Sequence, residues 1–230
     1  MSRLTTCTSQ LAHRKQLLLL LLCAIVASCS VDSYETGDNE YSYMRADFGI
    51  AYTNGKAAVE YATNDNDDRI DFEEATTASW ITTPDSAYRA LIYYNKVGEK
   101  AECISLSRVL TLIPKEAGEL SEIHSDPLMF ESAWVSSNKS FVNIGFAVKT
   151  GQVDGNFLAQ EIGICVDSVV TKTGGERHYY MQMTHKQNGS PEYYSSKGFA
   201  SIQIKSEYRG AILHLSIPTY NGKTEKILSL

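Results

Sequence analysis

From residue 44 onward the chain alternates apolar and polar residues with a period of two, and the alternating runs are short and separated by turn-forming pairs such as Asn54-Gly55, Pro84-Asp85 and Gly174-Gly175. A period of two gives a segment one apolar face when it is extended and none when it is helical. The chain is therefore expected to be all-β. Strands are predicted at 44–52, 56–63, 69–72, 88–96 and 99–113, and again at 128–135, 141–149, 161–171, 177–185, 199–204 and 211–217. The 99–113 run is too long to stay straight and should bend or bulge. Residues 72–78 fit either a strand end or one helical turn. Asn54-Gly55 supplies a pair suited to positive φ, residues 64–68 form the next turn, and residues 149–159 and 187–194 read as looser connections.

Pro114-Lys115-Glu116-Ala117-Gly118 places a proline, a glycine and charges between two apolar strand patterns, so it marks the expected domain boundary. Residues 44–114 then form one domain and 119–230 a second. The six strands of the second half each need an opposing apolar face, which argues for a β-sandwich.

The N-terminus carries a different grammar. Arg14 and Lys15 precede an apolar run over 17–26 that has the length of a secretory signal and is short of the roughly 20 residues that span a bilayer. Val26-Ala27-Ser28-Cys29 resembles the bacterial lipobox, so residues 1–28 are expected to be removed and Cys29 to carry the lipid, palmitate included. Residues 29–43 are polar and acidic and read as a tether. Removing Arg3, Arg14 and Lys15 with the signal takes the formal charge from -6 to -9. Such a surface repels phosphate, which argues against nucleic acid as a partner.

Several segments together carry a family likeness. The lipobox, Asn54-Gly55-Lys56 leading to Tyr61, Ala78-Ser79-Trp80, the stretch DSAYRALIYY over 85–94, and Met183-Thr184-His185-Lys186-Gln187-Asn188 followed by 199–204 are similar to NigD-like lipoproteins of Bacteroidetes. The resemblance implies an N-terminal OB-like β-barrel followed by a C-terminal β-sandwich. It also implies a bacteriocin-immunity-like or assembly role with a protein partner. Ser30 and Asp32 fit the acidic surface-export pattern of such lipoproteins and Val31 departs from it, so an outer-membrane address is expected with the side of display left open.

Candidate sites follow from residue chemistry. Three Tyr-Tyr pairs occur, and adjacent tyrosines on a strand point to opposite faces. Tyr94, Tyr180, Tyr193 and Tyr194 are the candidate binding residues, with rings able to stack on a sugar or anchor a protein. Asp85-Ser86-Ala87 and Asp167-Ser168-Val169 resemble the Asp-Ser/Thr-apolar signal for O-glycosylation; Ser86 lies in a predicted loop, whereas Ser168 is expected to be buried in a strand.

The acidic run Asp65, Asp67, Asp68, Asp71, Glu73 and Glu74 fails the calcium-loop template, with Ile70 where glycine is needed and Thr76 where a bidentate glutamate is needed. It reads as a solvated turn, with a local charge pair to Arg69. His124, His178, His185 and His214 lack close metal spacing and read as single structural histidines, so no metal is expected. Cys103 and Cys165 lie in apolar runs and read as buried free thiols. No GxSxG or other catalytic constellation is present, and no cofactor is implied. The expected function is thus a non-catalytic, lipid-anchored binding or accessory module of the cell envelope. A carbohydrate-binding lipoprotein is the first alternative and an envelope enzyme the second.

Overall fold

The computed structural model describes residues 44–96 and 98–230; the expected signal segment, Cys29 and the tether lie outside the described residues. Alternating side chains build five strands first: β1 (Met44–Thr53), β2 (Val59–Asn64), β3 (Arg69–Thr76), β4 (Ala87–Lys96) and β5 (Ala101–Leu112). The chain continues through β6 (Lys115–Glu116), β7 (Met129–Val135), β8 (Phe141–Thr150), β9 (Gln152–Val153) and β10 (Asn156–Phe157). It ends with β11 (Glu161–Thr171), β12 (Arg177–Lys186), β13 (Tyr194–Gln203), β14 (Ile212–Thr219) and β15 (Gly222–Ser229). Among the described residues there is no α-helix, only two short 3-10 turns.

The first five strands close on themselves. They pair in the order β3-β2-β1-β4-β5, and a parallel contact of Phe72 with Ala101 joins β3 back to β5. The ring 1-2-3-5-4-1 is that of a partly closed OB-like barrel, which leaves less free edge than an open sheet would. Its interior is filled by alternate residues, including Ile70, Phe72, Ile92 and Tyr94. Residues 77–86 pack over this core, with Ile81 buried and the Trp80 indole N–H donating to the Leu106 carbonyl at 3.1 Å. Gly49 is needed where β1 passes β2, because a Cβ there would stand 2.6 Å from the Thr63 carbonyl oxygen.

The long fifth strand serves two structures. Its first part pairs with β4, and a bulge leaves Ile104 unpaired between Ser105 opposite Tyr93 and Cys103 opposite Tyr94. Past the bulge, Val109–Leu112 pairs in parallel with β13. The bend expected from length is therefore real, and it hands the strand from barrel to sandwich. One sandwich sheet runs from β5 through β13 and β8 to β7; the other is β15-β14-β12-β11-β6. Ile144, Phe146 and Ile202 of the first face Met181, Met183, Leu213 and Leu215 of the second in one core. Each such side chain contributes about 1.5–3 kcal/mol by leaving water.

Of the two readings left open for residues 72–78, the strand end is the one found, with β3 running through Thr76. Several local expectations need correction. In the first hairpin the positive φ falls on Ala57 (58°), not on the Asn54-Gly55 pair, because the Asn54 side chain accepts the N–H groups of Lys56 and Ala58 and wraps a longer turn. β13 begins at Tyr194, ahead of the predicted 199. The final strand β15 was not foreseen, since its residues are mostly exposed and show no apolar face. Ser168 is exposed, because β11 runs past a bulge beyond Val166 and its outer end lies bare.

Barrel and sandwich are also joined by hydrogen bonds from a buried ion pair of the barrel to β8 and β13. Arg89 of β4 points out of the barrel, and its guanidinium donates to both carboxylate oxygens of Asp65 at 2.6 and 2.7 Å. The same group donates to Ser201 of β13 at 3.1 Å and to Asn143 of β8 at 2.9 Å. Asn143 donates back to Asp65 at 3.0 Å. Phe141 covers the guanidinium face at 4.0 Å from its ring centre. The Arg89 side chain is 1% exposed, so its donors need partners inside, and the planar fork of arginine places four N–H bonds on Asp65, Ser201 and Asn143. Asp65 is thus a clamp residue and not part of a solvated turn. Arg69 pairs with Asp71 instead, at 2.8 Å on the surface.

Candidate functional site

One end of the sandwich gathers the exposed aromatic residues. β8 ends at Thr150, and after Gly151 the chain makes a tight hairpin of β9 and β10. Asp154 and Gly155 both adopt positive φ, 51° and 78°, the pair that a two-residue hairpin turn requires. The stretch 149–159 is therefore built more tightly than expected. The second loop turns at Asn188 and Gly189, again both at positive φ, with Ser190 N–H donating to the Gln187 carbonyl at 3.0 Å.

Hydrogen bonds stitch the two loops together. Asn188 donates to the Ala159 carbonyl at 2.8 Å and Gln160 to the Lys149 carbonyl at 2.9 Å. The Gln187 side chain donates to the Ser190 carbonyl at 2.7 Å. His185, 1% exposed, bonds the Gln160 side-chain oxygen at 2.8 Å beneath them. These bonds tie together the loops that carry the aromatic rings. Phe157 (58% exposed) meets Tyr194 edge to face with centroids 6.5 Å apart, and Tyr193 is 77% exposed. Gly151 makes room for Tyr193: a Cβ at that position would lie 2.6 Å from its ring.

A hollow of about 270 Å³ lies between Val148, Thr150, Phe157, Leu158, Gln160, Tyr194 and Ser196. Beside the rings sits a polar fringe. Lys149 pairs with Glu192 at 3.5 Å and lies over the Tyr220 ring, and the Tyr220 hydroxyl donates to Glu192 at 3.4 Å. Burial and the Glu192 charge push the Tyr220 phenol above its usual range, so it stays a donor. Exposed aromatic rings on a rigid frame with a charged fringe have the composition of a protein-binding or sugar-binding surface.

Of the four candidate tyrosines, the structure brings Tyr193 and Tyr194 to this end. Tyr180 lies near the start of β12, half-buried and stacked on His214 at 4.4 Å. Tyr94 is a correction: it is 2% exposed in the barrel core with its hydroxyl donating to Asp47 at 2.7 Å. The parity of β4 puts Ala90, Ile92 and Tyr94 inward and Arg89 and Tyr93 outward. Burial, aided by Asp47, pushes the Tyr94 phenol up to about 12. Sequence reading missed Phe157, Leu158 and Tyr220, although Asp154-Gly155 was the available signal for a hairpin presenting Phe157.

The remaining candidates are placed as follows. Ser86 sits half-exposed in the 82–87 turn, its hydroxyl donating to the Pro84 carbonyl at 2.9 Å. Cys103 and Cys165 are free thiols in β5 and β11, and burial pushes both above the usual thiol range, which suppresses the nucleophilic thiolate. His178 and His214 are not single histidines. They come together across β12 and β14, with ring nitrogens 2.9 Å apart. No three His, Cys, Asp or Glu side chains among the described residues gather as a metal-ligand set.

The fold is shared with solved structures from the Bacteroidetes. A NigD-like immunity protein from Bacteroides caccae superposes with a TM-score of 0.61 at 17% identity, covering 80% of this chain and 90% of that one. A protein described as toxin-related, from Parabacteroides distasonis, gives 0.60 at 17% identity, covering 81% and 93%. One described as a lipoprotein, from Bacteroides fragilis, gives 0.57 at 13% identity, covering 81% and 97%. At these identities the likeness establishes the fold. The NigD-like resemblance carried by the sequence motifs thus has its counterpart in the architecture. No family model matches the chain, and no curated protein does.

Proposed function

We propose that the chain is a non-catalytic accessory lipoprotein of the cell envelope, anchored to the outer membrane through Cys29, whose aromatic end binds a partner protein. The observation that carries this reading is the rigid frame of Tyr193, Tyr194 and Phe157 with its Glu192–Lys149 fringe. Anchor aromatics held by hydrogen-bonded loops lose little entropy on binding, which is how a small surface gains affinity. The barrel and the sandwich, sharing β5 between them, act as the two domains, with 29–43 giving reach from the membrane and Ser86 as a candidate glycan attachment point. The names of the structural neighbours, immunity and toxin-related proteins, support a protein partner over a small ligand.

Photo-crosslinking from position 193 in intact cells tests this reading. A discrete protein adduct that vanishes in a Tyr194→Ala, Phe157→Ala double variant is the expected result. Capture of glycan and no protein would transfer the site to the carbohydrate-binding alternative. Cys29→Ala is expected to move the chain out of the membrane fraction, and persistence there would remove the anchor from the proposal.

A further inference from the structure

The outer face of the second sandwich sheet holds a four-residue chain that the proposed binding role does not use. His178 of β12 and His214 of β14 lie on neighbouring parallel strands, where Tyr180 stands opposite His214. Their facing nitrogens, Nδ1 of His178 and Nε2 of His214, are 2.9 Å apart. Each outer nitrogen meets a carboxylate: His178 Nε2 lies 2.8 Å from Glu176, and His214 Nδ1 lies 3.1 Å from Glu225 of β15.

A carboxylate only accepts, so both outer nitrogens carry the ring protons. Neutral imidazole has one N–H. With both rings neutral, the two facing nitrogens are the lone-pair nitrogens, and two bare lone pairs at 2.9 Å repel unless a cation, a shared proton or a metal ion, stands between them or beside both. We propose that His178 Nδ1 and His214 Nε2 form a site for a divalent late first-row transition-metal ion, Cu²⁺ foremost, with water completing its shell.

The distance agrees with this assignment. Two nitrogens each about 2.0–2.1 Å from one ion stand about 2.9 Å apart at a right-angled ligand pair, and about 3.3 Å apart at a tetrahedral one. The observed separation is that of neighbouring ligands in the tetragonal geometry of Cu²⁺. Each ligating ring would give its other N–H to a carboxylate, the arrangement that fixes tautomer and ring orientation in metal sites. Tyr180, stacked on His214 with an interplanar angle of 16°, holds that ring from one side. The two imidazoles are 14% and 15% exposed, sheltered yet open to water on one flank. With two protein ligands the site is an open one, leaving positions for solvent or for a group on a partner.

Titration of the purified full-length protein with Cu²⁺ alone, followed by calorimetry and by electron paramagnetic resonance, tests the proposal. One equivalent is expected to bind with tetragonal parameters and coupling to two nitrogens. His178→Ala and His214→Ala should each weaken it at least tenfold, and Glu225→Gln, which keeps the ligand and the fold, by roughly tenfold. His124→Ala should leave it unchanged. Absence of saturable binding, or binding that survives both histidine variants while their thermal unfolding stays like wild type, would overturn the site and leave a shared proton between the rings.

Discussion

Two turns of this protein have the same backbone and opposite fates. In residues 54–58 the Asn54 side-chain oxygen accepts the N–H groups of Lys56 and Ala58, and Ala57 takes positive φ. In residues 64–68 the Asn64 oxygen accepts those of Asn66 and Asp68, and Asp67 takes positive φ. The first turn stays at the surface, its Asn54 amide donating to exposed Glu60. The second is drawn inward: Asp65 grips Arg89, the Asp65 carbonyl accepts from Asn138, and Asn64 donates to Asp47 beside Tyr94. The asparagine sets the shape in both, whereas the next residue, Gly55 or Asp65, decides whether the turn is a loop or a clamp. A local motif thus supplies conformation, and long-range partners supply its energetic weight.

The sharpest way to break the contrast is to make the second turn a copy of the first. Asp65→Gly keeps the backbone but leaves the Arg89 charge buried without its carboxylate, at a cost of about 3–5 kcal/mol. Urea denaturation should show this as a large fall in midpoint, with barrel and sandwich signals separating. A smaller effect is expected from the asparagines. Asn64→Ala should cost roughly 1–2 kcal/mol, through lost turn bonds and the lost contact to Asp47, and Asn54→Ala less than about 1 kcal/mol, measured in the same way. Equal losses would mean that the interior contacts add nothing.

The smallest effect appears only in alkali. The folded Tyr94 phenol, at about 12, lies above its ordinary value of 10, so the fold prefers its protonated form. Stability from this group is complete below about pH 10 and falls as pH rises toward 12, because the unfolded chain ionises first. Tyr94→Phe should lessen that alkaline slope when unfolding is followed from about pH 9 to 11.

Much of the fold was legible because sheets with one buried face must alternate. β1, β12 and β14 follow that rule, whereas β4 and β8 are buried in continuous runs, and the length of β5 announced its bulge at Ile104. β15 was not legible, since its side chains are mostly exposed and only its backbone pairing with β14 makes it a strand. Tyr94 shows a second limit: which of two adjacent tyrosines faces inward depends on parity, and parity is set by the barrel. Of the aromatic end, the Tyr193-Tyr194 pair could be read, yet the hairpin that brings Phe157 to Tyr194 is a spatial fact. Asp65 with Arg89, and His178 with His214, join residues on separate strands, so neither pair leaves a spacing pattern.

The handover along β5 also bears on how the chain reaches this state in time. The barrel closes with strands that follow one another closely, whereas Val109–Leu112 must wait for β13, roughly 90 residues later in the chain. Until it arrives, the far half of β5 and the inner edge of β8 are open apolar edges, the kind that recruit other chains. A nascent or truncated product ending before Tyr194 would hold a finished barrel and an unfinished, aggregation-prone sheet. The shared strand that welds the mature molecule together is therefore the point at which an incomplete one is most exposed.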